Sequence, residues 1–187
     1  RGSNMKSLVA AAQAPDYPAQ IVLVASDKAE AEGLEFARAR GIATAPVAYS
    51  DKRQAEETLD AILAKQAVDF VCLAGFMRLL SPWFVERWMG KIINIHPSLL
   101  PAFPGAHAHR DALKAGVRVS GCSVHFVDQG MDTGAIIDQA ATHLDENETQ
   151  DSLASKVLAL EHVLYPESLA RVAAYKVQLI DGKAVWR

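Results

Sequence analysis

Cysteine is scarce in this chain. Cys72 and Cys122 are the only two, and both sit in apolar runs, so they read as reduced core thiols of a cytoplasmic protein rather than as a disulfide or metal site. No apolar run approaches the ~20 residues that a membrane helix needs. Basic charge is not in excess: 19 Lys and Arg against 22 Asp and Glu give a net charge of -3, which leaves no footprint for nucleic acid. No signal-peptide pattern opens the chain, which begins at Arg1 rather than Met. Repeats, low-complexity tracts and linkers are also lacking. These absences leave one soluble globular domain over residues 1–187, for which nucleic acid is a poor partner and a membrane helix is not expected.

What is present fits that frame. Half of the 187 residues are hydrophobic, enough for a sizeable core. Periodicity predicts a helix over MKSLVAAAQA with Ser3 or Asn4 as N-cap, ended by Pro15 and Pro18. A β-branched strand Gln20–Ser26 follows, then a helix Ala29–Arg40 closed by Gly41, a short strand around Val47–Tyr49 and a helix over Lys52–Gln66. Asp69–Gly75 (DFVCLAG) is apolar enough for a strand covered on both faces. Pro82 starts a short helix whose Trp83, Phe84 and Trp88 read as core. This alternation argues for βαβ units and a mostly parallel sheet flanked by helices. Farther on, a helix His109–Ala115 precedes strands Ser120–Val127 and Ala135–Ala141, joined by DQGMDTG and hence antiparallel. Thr149–Tyr175 is the longest helical pattern, interrupted at Pro166. Val177–Ile180 and Ala184–Trp186 form a hairpin around Asp181-Gly182.

The chemistry gathers at KIINIHPSLLPAFPG, Lys91–Gly105. Ile92, Ile93 and Ile95 mark a buried strand Lys91–Ile95, and residues two apart share a face, so Asn94 and His96 project side by side. Pro97 stops the strand, and Pro101, Pro104 and Gly105 make a stiff loop. Such an edge is where open α/β sheets bind ligands, and rigidity around two polar side chains suits a preorganised site. Asp132, in the turn Asp128–Gly134, is the candidate carboxylate, although an aspartate there commonly caps its own backbone. A lone DTG lacks the second carboxylate of an aspartic protease.

Amide, imidazole and carboxylate together suit acyl transfer to an amine. Asn94 can donate to the oxyanion of a tetrahedral intermediate, as can a protonated His96, while Asp132 helps to relay protons. No Ser, Cys or Lys nucleophile pairs with His96, so transfer is direct. His107 and His109 are not spaced as a helical ligand pair and predict no metal site. His125 reads as a satisfied, partly buried histidine and His143 as a surface one.

The blocks AGFMRLLSP, NIHPSLLPAFPGAHAHRDAL, SVHFVDQGMDTGAII and EHVLYP resemble the folate-dependent formyltransferases. FPGAHAHRDAL and the opening GSN resemble the glycinamide ribonucleotide (GAR) transformylase branch, phosphoribosylglycinamide formyltransferase. The resemblance implies a Rossmann-like formyltransferase fold, with a nucleotide-phosphate half over about residues 1–90 and a folate and catalytic half over 91–187. It implies formyl transfer from 10-formyltetrahydrofolate, as cosubstrate without a metal, to the amine of GAR in purine biosynthesis, by a cytoplasmic monomer or homodimer. It makes Asn94, His96 and Asp132 the catalytic trio. It gives the GAR phosphate to Gly2, Ser3 and Asn4 and the ribose hydroxyls to Glu161. Folate falls to Arg53, Met77, Arg78, Leu79 and Leu80, with Asn94 and the loop Asp128, Gln129, Gly130, Met131 and Asp132. It also implies a strand before GSN that this sequence does not contain, which leaves one side of the sheet unpaired. From the residues alone, Arg1–Asn4 reads equally as an appended tetrapeptide or as an anion site at a helix N-terminus.

Three rivals stand beside this reading. A formyltetrahydrofolate hydrolase would use a similar pocket, but that branch carries a second His where Pro97 stands and an N-terminal regulatory domain. A methionyl-tRNA formyltransferase would add a basic C-terminal domain. A nucleotide-binding module without catalysis shares the fold, but the Asn94, His96 and Asp132 trio argues against it.

Overall fold

Strands and helices alternate along the first half of the chain, as its hydrophobic pattern requires. The computed structural model describes residues 2–187; Arg1, the first residue of the expected 1–187 domain, lies outside the described residues. The order is α1 (Ser3–Ala11), β1 (Leu23–Ser26), α2 (Glu32–Arg38), β2 (Ala43–Pro46), α3 (Lys52–Lys65), β3 (Val71–Leu73), α4 (Pro82–Arg87), β4 (Ile92–His96) and α5 (Ala108–Ala115). Then come β5 (Val119–Phe126), β6 (Ile136–His143), α6 (Gln150–Ala173), β7 (Val177–Ile180) and β8 (Lys183–Trp186). β1 pairs with β2 and β3 with β4 in parallel, whereas β4–β5, β5–β6 and β7–β8 are antiparallel. This is the mixed α/β fold expected, with an antiparallel C-terminal part.

Among the described residues β1 and β3 each pair on one side only. The expected strand Asp69–Gly75 is shorter, Val71–Leu73. Its residues are half-buried, yet both faces are covered as expected, with Cys72 packed against one core cluster and Val71 and Leu73 against another. β4, by contrast, buries four of its five residues under the core of Ile93, Ile95, Val124, Phe126 and Tyr165.

Three further expectations are corrected. The second strand is Ala43–Pro46, not Val47–Tyr49: its register against β1 pairs Leu23 with Ala43 and Ser26 with Pro46, so ladder hydrogen bonds outweigh poor strand propensity. Neither Ser3 nor Asn4 caps α1. Gly2 does, at φ 60°, a left-handed conformation natural to glycine. Nor does Pro166 interrupt α6, which runs unbroken for 24 residues. An interior proline costs about 3 kcal/mol, but the helix buries Leu153, Val157, Leu164, Tyr165, Leu169 and Val172, each worth about 1.5–3 kcal/mol. Packing wins. The terminal hairpin turns at Asp181 and Gly182, both with positive φ, as a two-residue turn requires.

Candidate functional site

The site lies where β4 ends and the proline loop begins. Antiparallel register sets Asn94 opposite His125 and His96 opposite Ser123, so these four side chains share one face. His96 and His125 are buried, and Asn94 is half-buried.

Hydrogen bonds fix the imidazoles. A carbonyl only accepts, so the 2.9 Å contact between His96 Nε2 and the Phe103 carbonyl puts a proton on Nε2. His96 Nδ1 then faces Asp132 Oδ2 at 3.4 Å. His125 Nδ1 likewise donates to the Phe126 carbonyl at 2.8 Å. Burial pushes the His125 pKa down, so its neutral Nε2 accepts from the Asn94 amide at 3.2 Å and lies 3.6 Å from Asp132 Oδ1. One carboxylate therefore stands between two imidazoles. The second Asn94 N–H is free to donate to an oxyanion, and His96 Nδ1 faces the Asp132 carboxylate beside it.

Asp132 reaches this position from a left-handed backbone, φ 55°. It does not cap its own turn. That task belongs to Asp128, whose Oδ1 accepts from Gly130 N–H at 3.0 Å and from the Thr133 hydroxyl at 2.8 Å. Asp132 Oδ2 instead accepts from Gly105 N–H at 2.8 Å. The proline loop thus holds both members of the pair, His96 through Phe103 and Asp132 through Gly105.

A second cluster joins the start of α1 to the middle of α6. Asn4 donates to Glu161 at 2.7 Å, bringing the start of α1 to α6. Glu161 is buried, and burial raises its pKa against the opposing Asn4 hydrogen bond. Asn4 Oδ1 is buried with no partner. Gly2, Ser3 and Asn4 supply the helix end, where N–H groups lack intrahelical partners.

The residues expected to meet folate divide. Met77, Leu79 and Met131 are exposed apolar side chains. Arg78 pairs with Asp27 at 3.1 Å and lies over the Tyr49 ring. Gln129 donates to Glu86 of α4 at 3.0 Å. Leu80 packs with Phe84 and Trp88 in the core. Arg53 is seated on α3, paired with Glu57 at 2.6 Å and facing the Trp83 ring at 5.5 Å. The loop before α4 is anchored by buried Glu56, which accepts from the Ser81 N–H at 2.8 Å and from its hydroxyl.

The sequence reading missed His125 as a site residue, and with it Phe103, Gly105 and His109. The first three reach the site through strand register or backbone atoms, which leave no mark in side-chain spacing. His109 has a buried Nδ1 without a partner, and its pKa is pulled down by burial and by nearby His96. Among the described residues no group of three or more His, Cys, Asp or Glu could hold a metal ion, and no helix is long and apolar enough to cross a membrane.

Known proteins resemble this chain over most of its length. The family described as Formyl transferase matches residues 1–169. The chain is 44% identical over 190 residues to the trifunctional purine biosynthetic protein adenosine-3 of Gallus gallus, covering 100% of this chain and 19% of that protein. It spans about a fifth of that relative's length. It is 40% identical to the phosphoribosylglycinamide formyltransferase of Bacillus subtilis, over 91% of this chain and 89% of that one. The crystal structure of phosphoribosylglycinamide formyltransferase from Anaplasma phagocytophilum superposes with a TM-score of 0.92 at 44% identity, covering 100% of this chain and 88% of that one. The chain belongs to the formyl transferase family.

Proposed function

We propose that this protein transfers a formyl group from 10-formyltetrahydrofolate to the amine of GAR, a step of purine biosynthesis. The observation that carries the reading is the Asp132 carboxylate held between the buried imidazoles of His96 and His125, with the Asn94 amide beside them. The amine attacks the formyl carbon, and the carbonyl π pair moves to oxygen. The free Asn94 N–H donates to that oxyanion beside two buried imidazoles. The proton lost by the amine is taken up between Asp132 and His96 Nδ1. Collapse re-forms the C=O and breaks the bond to N10 of the folate, which takes the proton. No nucleophilic side chain is needed.

GAR is read by its chemistry at the second cluster. Its phosphate suits the N-terminus of α1 at Gly2–Asn4, and its ribose hydroxyls suit Glu161, a buried carboxylate whose described side-chain partner is Asn4. Folate lies along Met77–Leu79 and the 128–132 loop. Two free cysteines accord with a cytoplasmic setting.

The test mixes the protein with 10-formyltetrahydrofolate, with and without GAR, and follows folate absorbance. Conversion that requires GAR is the expected result. Conversion without GAR would replace transfer by hydrolysis, and none in either mixture would remove the catalytic reading.

A further inference from the structure

The loop between β4 and α5 does two jobs at once: its Phe103 carbonyl orients His96, and its Gly105 N–H orients Asp132. Neither atom belongs to regular secondary structure, so something must hold the loop. The hub is Ser123, fully buried on β5. Its hydroxyl donates to the Ser98 carbonyl at 2.7 Å and accepts from Leu100 N–H at 3.0 Å and from Gln139 Nε2 at 2.8 Å. One donor and two lone pairs are all that a hydroxyl has, so Ser123 is fully used. Gln139, on β6, spends its other Nε2 hydrogen on the Leu100 carbonyl at 3.0 Å. Both backbone polar atoms of Leu100 are thereby clamped. Buried Ser98 continues the chain of bonds, its hydroxyl donating to the Ala102 carbonyl at 2.6 Å, next to Phe103.

We propose that the Ser123–Gln139 pair positions the catalytic groups, by fixing the loop that aims His96 and Asp132 at one another. Neither residue touches the reacting atoms. Their effect passes through Leu100 and Ser98 to Phe103 and Gly105, and it concerns geometry: displacement of a reacting group by about 1 Å can cost about 100-fold in rate. Gln139 is exposed on an otherwise alternating strand, where neither folding nor core packing demands an amide. The proposal rests on the formyl-transfer reading for its kinetic consequence but not for its structural one.

Two variants test it. Gln139→Leu keeps side-chain bulk at an exposed position and should fold normally; Ser123→Ala removes the hub and keeps the buried site apolar. We expect kcat to fall about 10-fold in the first and about 100-fold in the second, with KM for GAR within about twofold, because the GAR cluster lies on α1 and α6. Both act through one loop, so the double variant should lose no more than Ser123→Ala alone. The pH profile of kcat should change shape in both, as His96 and Asp132 lose their fixed approach. A fall in kcat matched by the loss of folded protein, with an unchanged pH profile, would overturn the proposal in favour of a structural role. So would an unchanged kcat in Gln139→Leu.

A readout independent of turnover separates this proposal from the functional one. In Gln139→Leu the Gly105 amide should exchange with solvent at least about 10-fold faster, and the ring resonances of His96 should shift. If the unsubstituted protein transfers no formyl group but these changes occur, the formyl-transfer reading fails and the clamp stands. If both signals stay unchanged, the clamp fails whatever the activity.

Discussion

Asp132 holds a left-handed backbone, φ 55°, a conformation costing a non-glycine residue of order 1–3 kcal/mol. Aspartate and asparagine tolerate it better than most. Asp132→Asn therefore keeps the backbone and an acceptor for Gly105 N–H while removing the charge. It should lower kcat about 100- to 10,000-fold with KM for GAR nearly unchanged, as should His96→Ala. Steady-state kinetics with intact kcat would end the proton-handling assignment. Glu161 makes the opposite kind of prediction. Burial raises its pKa, so between the ordinary Glu range and its own value the folded chain binds more protons than the unfolded one. Stability accordingly falls as pH rises through that window. Glu161→Gln removes the fall: the variant should melt above the wild type at about pH 8, with the gap closing toward about pH 4. The same substitution should weaken GAR. Thermal scans at both pH values read the first effect, and identical melting at both would remove the stated cost.

At the scale of elements, two helix ends carry different loads. The N-terminus of α6 is closed by a capping box, in which Ser152 N–H donates to the Thr149 hydroxyl at 3.1 Å and Thr149 N–H donates to Ser152 Oγ at 3.0 Å. Thr149→Ala should cost about 1 kcal/mol, measured by urea unfolding, with no change in kcat because the site lies away from this end. The N-terminus of α1 has no side-chain cap, and the Asn4 amide is turned to Glu161 instead. Ser3→Ala and Asn4→Ala should weaken GAR by at least about 10-fold while changing folate affinity by less than about twofold. Calorimetric titrations that found equal losses for both ligands would take the phosphate away from this helix.

Across the whole molecule, GAR would tie α1 to α6, elements 157 positions apart at Asn4 and Glu161. A ligand that binds only the folded state at 100 times its dissociation constant adds about 2.7 kcal/mol, a rise of roughly 5–10 °C in Tm for a chain of this size. Thermal scans against GAR concentration give the answer, and a flat response would argue that the start of α1 and the middle of α6 form no joint site.

Asn94 and His96 were legible in the sequence because a strand's period of two is a local rule, and a proline ending the strand is a local signal. The order of elements, the antiparallel pair at Ser120–Val127 and Ala135–Ala141 and the Asp181-Gly182 turn were legible for the same reason. The resemblance added GSN and Glu161, which spacing alone left open. Pro166 misled because its helix-breaking tendency is local, whereas the burial that overrides it comes from β5 and β6. Val47–Tyr49 misled because parallel register to β1, not propensity, chose Ala43–Pro46. By itself, then, the sequence determined the order of strands and helices and which residue types end β4. Only the tertiary structure decided that His125 faces Asn94, that Asp132 meets His96 and that Phe103 and Gly105 hold them. Those choices depend on strand register and backbone hydrogen bonds between distant segments, and no local pattern of side chains encodes either.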